Sequence, residues 1–181
     1  YILFLVLSCC PKSKRVIIEA GGMEALAMHL FSEQPKVIMH CILTMRNMSD
    51  LASGIPDGER LCQDLVNMLQ YREPVIVSCA TGILANLTAN NEQLKLAVCK
   101  ANGVPELVRL IDKVNLDNKD ARDILESSLY ALRHLTNNHQ HDEQVQQLFV
   151  IQLNGLPIIN RHLNPDTPRP SLKGILQVVR N

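Results

Sequence analysis

An eight-residue phrase recurs at the ends of three apolar stretches, and it constrains the fold of this chain more than any other feature. The copies read LTMRNMSD at 43–50, ILANLTAN at 83–90 and YALRHLTN at 130–137, and a shorter copy, ILQVVRN, ends at Asn181. Asn47, Asn86, His134 and Asn181 occupy the same place in the phrase, 39, 48 and 47 residues apart. Self-similarity at such intervals in apolar, helix-forming sequence is typical of a helical solenoid.

A second phrase, which ends near glycine, recurs between these copies. It reads AGGM at 20–23, ANGV at 101–104 and LNGL at 153–156. Together the two phrases predict a repeat of three helices, with a short helix before the glycine, a second after it, and a longer third that ends in the asparagine phrase. We expect the glycines to end the first helix by adopting positive φ, and Pro35 and Pro74 to open third helices.

The predicted repeats follow an earlier repeat that ends in residues 1–10. They span 12–50, 55–90, 91–138 and 142–181. The second repeat has a loop, SGIPDG at 53–58, where its first helix would be, and a polar insertion at 115–119 lengthens the third. The expected helices are 14–20, 23–31 and one from Pro35; 60–69 and one from Pro74; 92–100, 104–114 and 120–137; 143–153, 156–163 and one from about Pro170.

The composition agrees with helix-on-helix packing and excludes several classes of function. The chain is 46% hydrophobic but only 3% aromatic, with no tryptophan, so its core must consist of aliphatic side chains. A formal net charge of +0 gives no support for direct binding to nucleic acid or a membrane surface. The apolar run at 2–7 is far shorter than the roughly 20 residues of a membrane span, and it has no charged leader.

The residues that usually carry chemistry do not form a recognisable site. The six cysteines include no C-x-x-C pair, and we expect them to be buried thiols in a reducing compartment. The stretch HQHD at 139–142 lacks a third metal ligand nearby, and the chain has no phosphate-binding loop, G-x-S-x-G or H-E-x-x-H motif. The sequence therefore predicts no enzyme activity, no cofactor and no bound metal.

The asparagine at the end of each third helix has two interpretations. It caps the carboxyl end of the helix, or stacked third helices form an asparagine ladder that pairs with the backbone of an extended peptide. Charge on these helices is also open to two readings, a solvated basic face or a basic groove for an acidic, extended ligand. The residues concerned are Arg46, Arg133, His134, Lys173 and Arg180, with Lys95 shortly after the second phrase.

These phrases resemble those of the armadillo-repeat family, and more narrowly of its β-catenin branch. The stretches that carry the resemblance are IEAGGMEAL at 18–26, TMRNMSD at 44–50, GILANLTANN at 82–91, ALRHLT at 131–136 and GLP at 155–157. The resemblance covers essentially the whole chain. It implies an all-α, right-handed armadillo solenoid of about four repeats plus the tail of a preceding one.

The resemblance also implies a function in cell adhesion and Wnt signalling. Its expected partners are cadherin cytoplasmic tails, T-cell-factor/lymphoid-enhancer transcription factors and destruction-complex scaffolds, in the cytoplasm, the nucleus and cell junctions. Lys95 is expected at the surface, where a reversal of its charge would leave the fold intact. The partner-binding residues implied by position are Arg46, Asn47, Asn86, Asn90, Lys95, Arg133, His134 and Lys173, and the last phrase adds Arg180 and Asn181.

The chain departs from the β-catenin pattern at Leu43 and Leu5, where the family has a tryptophan and a groove lysine. Together with several Met and Ile replacements, this points to a divergent, invertebrate-like form. The alternative is a nuclear-import adaptor of the same fold, whose groove reads basic cargo with a tryptophan four residues before each asparagine. Those places hold Leu43, Gly82, Tyr130 and Gln177 here, and the charge of the groove would have the opposite sign.

Overall fold

The structure is a computed structural model that describes residues 2–52, 54–116, 118–165 and 167–181. Every regular element in these ranges is helical, so the all-α prediction is confirmed. Expectations for Tyr1, Ser53, Asp117 and Asp166 lie outside the described residues. The helices are α1 (Ile2–Leu7), α2 (Pro11–Glu19), α3 (Gly22–Ala27), α4 (Pro35–Met48), α5 (Gly58–Met68), α6 (Pro74–Thr88), α7 (Glu92–Lys100), α8 (Gly103–Lys113), α9 (Lys119–Leu135), α10 (Asp142–Gln147), α11 (Gly155–Asn160) and α12 (Arg169–Arg180).

The third helices stack on one another in chain order. α1 packs on α4, α4 on α6, α6 on α9, and α9 on α12. Their inner faces join one hydrophobic core, in which side chains such as Met45, Ile83 and Leu132 are fully buried. Each repeat thus covers the apolar face of its neighbour, which is the solenoid arrangement that the repeat spacing predicts.

Helix starts follow the local sequence. Pro35 and Pro74 open α4 and α6 as predicted, at positions where the missing N–H has no helical partner to lose. Asn91 caps α7, its side chain accepting a hydrogen bond from the Leu94 backbone N–H at 3.0 Å. Asn118 caps α9 in the same way, through the Ala121 N–H at 2.9 Å.

The glycine phrase works differently from our expectation. The positive φ falls on the residue before the common glycine, and the Gly103 position is needed because a Cβ there would lie 2.8 Å from the Val98 carbonyl oxygen. The common glycine of each phrase therefore permits a close approach of consecutive helices, and the prediction that Gly21-Gly22 supplies positive φ is confirmed at Gly21 and wrong at Gly22. The residues with positive φ are Gly21 (77°), Asn102 (65°) and Asn154 (52°).

Several helices end before their predicted limits, α3 and α10 among them. α3 stops at Ala27, and Met28–Phe31 continue as turns, with hydrogen bonds from the N–H of His29 to the Leu26 carbonyl and from Leu30 to Ala27. This tighter path points Leu30 into the core, where it is fully buried. α10 ends at Gln147 and continues as a π-helix over Leu148–Gln152.

The second repeat has no first helix. A 3₁₀ turn, Ser49–Leu51, follows α4, and residues 54–57 run as turns up to α5. Within the ranges that the structure describes, no helix is long and apolar enough to span a membrane.

Candidate ligand-binding groove

The four residues at the same place in the asparagine phrase form a ladder of hydrogen bonds between third helices. The amide of Asn86 donates to the Ser49 hydroxyl at 2.8 Å, and that of Asn47 donates to the Ser8 hydroxyl at 3.0 Å. Ser49, like Thr88 and Thr136 in the other two contacts, stands two positions after the ladder residue of its own helix. The other two contacts join Asn181 Nδ2 to Thr136 Oγ1 at 2.9 Å and His134 Nδ1 to Thr88 Oγ1 at 3.2 Å.

These contacts decide the role of the ladder asparagines within the fold. Asn47 and Asn86 lie inside α4 and α6 and donate to the end of the preceding third helix, so the C-capping interpretation is wrong for them. The left-handed turn position belongs instead to Asn90, with a φ of 56°, and it is exposed. Among the described residues, the amide of Asn86 uses one N–H in this way, which leaves its second N–H and its Oδ1 for a ligand.

His134 lies in the same network. The Thr88 hydroxyl donates to the Leu84 carbonyl at 2.8 Å, and its oxygen is 3.2 Å from Nδ1 of His134. The ring also makes a hydrogen bond with the backbone of Ala85. Burial, with the nearby charges of Arg133 and Lys95, lowers the pKa of His134 to about 4. Its expected place among the groove cations is wrong, because the ring is neutral at neutral pH.

Lys95 differs most from the expectation. Only 5% of the residue is exposed, and its ammonium donates to the backbone carbonyls of Asn137 at 2.8 Å and Asn138 at 3.3 Å. It thus connects α7 to the turn after α9. Burial lowers the pKa of Lys95. The prediction that Lys95 is a surface residue is wrong, because the turn after α9, in the same repeat, covers its ammonium.

The structure brings Lys95, Arg133 and His134 together. Each of the two cations contributes to the lowered pKa of His134, which places the three side chains in one electrostatic cluster. Arg133 donates to the Gln177 side-chain oxygen on α12 at 3.2 Å, and its own carbonyl accepts from Asn181 at 2.9 Å. The other predicted cations of this region, Lys173 and Arg180, are exposed on α12, and neither makes an ion pair with a described residue.

The Arg46 side chain lies across α6 at Gly82, the one residue of that helix without a side chain. A Cβ on Gly82 would overlap the guanidinium group, so the arginine depends on this glycine for its path. Beside it runs an open cleft of about 620 Å³ between α4, α6 and α9, lined by Arg46, Gly82, Asn86, Glu126, Tyr130 and His134 among others. We call this cleft the groove.

The groove is not uniformly basic. Asp120, Asp123 and Glu126 line an adjoining cleft of about 840 Å³ that shares Arg46 with the groove. Burial, and then the charge of Asp123, raises the pKa of Glu126, while Arg46 acts in the opposite direction. Sequence reasoning missed these acids because it weighed only the C-terminal halves of the third helices. Their spacing of three residues, which places them on one helix face, was the available signal.

The remaining candidate chemistry is sparse. Burial raises the pKa of Cys62 to about 12 and of Cys79 and Cys99 to about 11, so these thiols stay protonated and unreactive at neutral pH. Cys9 and Cys10 are exposed, against the expectation of burial. Within the described part of the chain, no group of three or more His, Cys, Asp and Glu side chains could hold a metal ion.

Known proteins similar to this chain agree with the repeat pattern. The chain is 42% identical over 177 residues to the armadillo segment polarity protein of Musca domestica and 41% identical to that of Drosophila melanogaster. It is also 41% identical over 176 residues to junction plakoglobin of Xenopus laevis. These matches cover 97% of this chain but only 21%, 20% and 23% of the relatives, so the chain spans about a fifth of their length. No family model matches the chain.

Solved structures match the fold. The chain superposes with a TM-score of 0.90 and 29% identity on a structure from work on a phosphorylation switch that controls the interaction between cadherin and β-catenin, over 98% of this chain and 32% of that one. A computationally designed armadillo repeat protein matches with a TM-score of 0.76 at 19% identity, over 98% of this chain and 71% of the design, which supports the fold alone. The chain is an armadillo-repeat solenoid, homologous to a segment of the proteins of the β-catenin family.

Proposed function

We propose that this chain is part of a non-enzymatic adaptor that binds acidic, extended segments of other proteins in the groove. The observation that carries the proposal is the ladder of Asn47, Asn86, His134 and Asn181, which repeats a hydrogen-bonding side chain along the stacked third helices. The Nδ2 atoms of Asn47 and Asn181 each donate to two partners within the chain, whereas Asn86 donates to one. The second N–H of Asn86 and the side-chain oxygens of the three asparagines are therefore suited to pair with the alternating N–H and C=O groups of an extended peptide.

The charges support a ligand with an acidic portion at the α9–α12 end of the groove. Arg133 lies next to the groove residue His134 on α9, and Lys173 lies on the neighbouring helix α12, where it has no ion-pair partner among the described residues. Lys95 contributes positive potential from beneath, although its ammonium is occupied by two carbonyls. Asp120 and Asp123 lie in the first turns of α9 and Glu126 lines the groove near its middle, so a ligand that is acidic along its whole length would be repelled there.

Relatives suggest which proteins supply such segments. A cadherin cytoplasmic tail is our first candidate, because the β-catenin structure that superposes on this chain comes from work on its interaction with cadherin. T-cell-factor/lymphoid-enhancer transcription factors and destruction-complex scaffolds are further proposed partners, from the family resemblance alone. We accordingly propose roles in adhesion and Wnt signalling, at cell junctions and in the cytoplasm and nucleus.

A nuclear-import adaptor is less consistent with the geometry. Such a groove needs an aromatic shelf four residues before each ladder asparagine. The place before Asn86 is Gly82, and the Arg46 side chain lies over it. A cation therefore occupies the position where basic cargo would have to stack, which disfavours that alternative.

The test is calorimetric titration with two synthetic peptides, one from a cadherin cytoplasmic tail and one from a T-cell-factor amino-terminal segment. Arg133→Glu combined with Lys173→Glu should weaken binding of either acidic peptide by at least about tenfold, because attraction becomes repulsion. The matched control is Lys100→Glu with Lys113→Glu, two exposed lysines on α7 and α8 outside the third helices. Added salt should weaken wild-type binding, since exposed charges are screened over about 8 to 10 Å. Equal losses in the control pair would refute a groove-specific site.

A further inference from the structure

The missing first helix of the second repeat leaves a gap that its neighbours do not have. In the third repeat, the first helix α7 packs on α5, the second helix of the repeat before it. In the fourth, the π-helical extension of α10 packs on α8 in the same relation. α3 is the second helix of the first repeat. In the next repeat, turns at residues 54–57 stand where the helix that would cover α3 should start.

The uncovered side of α3 forms one wall of an apolar cleft. The cleft has a volume of about 60 Å³, and α5 forms its other wall. Met28, at the end of α3, is 82% exposed beside it. Ile55, from the turns that replace the helix, lines the cleft from the side, and the buried side chains of Met23 and Leu61 form part of its lining. We call this cleft the notch.

The notch carries negative charge. Glu24, Asp57 and Asp64 line it, with Arg60 as the one cation among its lining residues. The Oε2 atom of Glu24 is buried and has no hydrogen-bond partner among the described residues. Burial raises the pKa of Asp64, with Arg60 acting in the opposite direction. A buried, unpaired carboxylate oxygen is costly, and a cation placed beside it would remove that cost.

The third repeat, in which α7 covers α5, shows what fits such a gap. α7 buries Leu94, Ala97 and Val98, which stand at i, i+3 and i+4, against the preceding repeat. The contact is close, since a Cβ on Gly58 of α5 would come within 2.8 Å of the Leu94 side chain. An occupant of the notch can use the same short apolar stripe, which is the usual way in which an amphipathic helix enters a groove.

We propose that the notch is a docking site for one amphipathic helix of a partner protein, with apolar side chains at i, i+3 and i+4 and lysine or arginine beside them. The occupant takes the place of the absent first helix, and its cations approach Glu24 and Asp64. This site is separate from the groove, since it lies between second helices and shares none of the groove residues. It therefore does not depend on the proposed function.

The probe is a synthetic helical peptide with leucine, alanine and valine at the spacing of Leu94, Ala97 and Val98 and lysines at the flanking positions. A second peptide has glutamate in place of each lysine. The readout is the methyl signals of the six methionines in the 181-residue chain labelled at methionine, two of which, Met23 and Met28, line the notch. The lysine peptide should shift these two signals, and the glutamate peptide should not.

Glu24→Gln combined with Asp64→Asn should weaken binding of the lysine peptide by about tenfold at low salt, because two desolvated carboxylates are lost. Glu73→Gln with Glu143→Gln makes the same change in charge at exposed positions away from the notch, and it should leave the affinity within about twofold of wild type. The comparison of the two peptides on wild-type protein stands even if the notch variant does not fold.

Three outcomes would overturn the proposal. The first is no shift of Met28 at millimolar lysine peptide. The second is equal shifts with both peptides, which would show that charge plays no part. The third is a shift of Met28 with protein concentration alone, which would assign the notch to a second copy of this chain. An acidic groove peptide added first should leave the Met28 shift intact, so the two sites fail or succeed separately.

Discussion

The side-chain amide of Asn86 donates a hydrogen bond to the hydroxyl of Ser49 at 2.8 Å, across the boundary between α6 and the end of α4. The same hydroxyl donates to the Arg46 carbonyl at 3.0 Å, so it joins the end of one third helix to the last turn of the next. Asn86 also lines the groove. One side chain thus sets the spacing of two repeats and faces the proposed ligand, which couples the stability of the array to the register of its binding surface.

Asn86→Ala should destabilise the chain by about 1–2 kcal/mol, because it removes a hydrogen bond and leaves the oxygen of the buried Ser49 hydroxyl without a donor. In a double-mutant cycle with Ser49→Ala, the coupling energy should be about 0.5–1.5 kcal/mol. Urea unfolding of the four proteins gives these values. Asn90→Ala is the control, since Asn90 lies four residues on and makes no contact with Ser49, and its cycle should be additive. Additivity in both cycles would mean that the ladder contact contributes nothing.

Lys95→Glu should destabilise the fold by more than about 3 kcal/mol, because a buried carboxylate would face two backbone carbonyls in place of the ammonium that they accept from. Lys100→Glu changes an exposed residue of the same helix and should stay within about 0.5 kcal/mol of wild type. Thermal and urea unfolding measure both. If the two variants unfold alike, Lys95 does not hold the turn after α9. A loss of ligand binding in Lys95→Glu would therefore report unfolding as much as a lost contact.

The helices could be predicted from the sequence because their signals are local. Pro35 and Pro74 mark the starts of α4 and α6, and the two recurrent phrases place the ends of the first and third helices within a few residues. The stacking of third helices follows from the repeat itself, since equivalent apolar faces must cover one another. The absence of a first helix in the second repeat was also visible, as glycine and proline at 54–56.

The electrostatics of the site could not be predicted in this way, because it depends on contacts between distant residues. Lys95 is buried by a turn at Asn137 and Asn138, more than forty residues further along the chain. His134 is uncharged at neutral pH because the ring is buried and two cations lie near it. A count of basic residues along the third helices treats both as exposed cations, and only the packing of segments distant in sequence shows that they are not.

His134 should make the stability of the chain depend on pH. Its pKa of about 4 in the fold lies below the ordinary value near 6.5, so the unfolded chain takes up a proton first as the pH falls. Stability is therefore lost as the pH falls through about 6.5 towards 4, by about 1–2 kcal/mol between pH 7.5 and pH 5. His134→Asn, which offers an N–H donor to Thr88 and matches the other ladder positions, should lose less over this range.

Urea unfolding at both pH values tests this difference. His141→Asn is the matched control at an exposed histidine, and its pH dependence should follow that of wild type. If His134→Asn loses as much stability as wild type on acidification, the imidazole is not kept neutral by its burial. Asn and His at this position would then contribute in the same way to the pH dependence of folding and to the ladder of hydrogen bonds.

The acids of the groove provide a test of how ligand charge is read. Asp123→Asn combined with Glu126→Gln should strengthen binding of an acidic cadherin-tail peptide by about two- to fivefold, because both carboxylates repel a negative ligand from the cleft beside Arg46. The gain should shrink with added salt, since part of the repulsion acts through solvent. Calorimetric titration at two salt concentrations measures it, with Glu73→Gln and Glu143→Gln as a control of equal charge change. A weaker complex in the α9 variant would mean that these carboxylates contact basic residues of the ligand, and the groove would then require a segment of mixed charge.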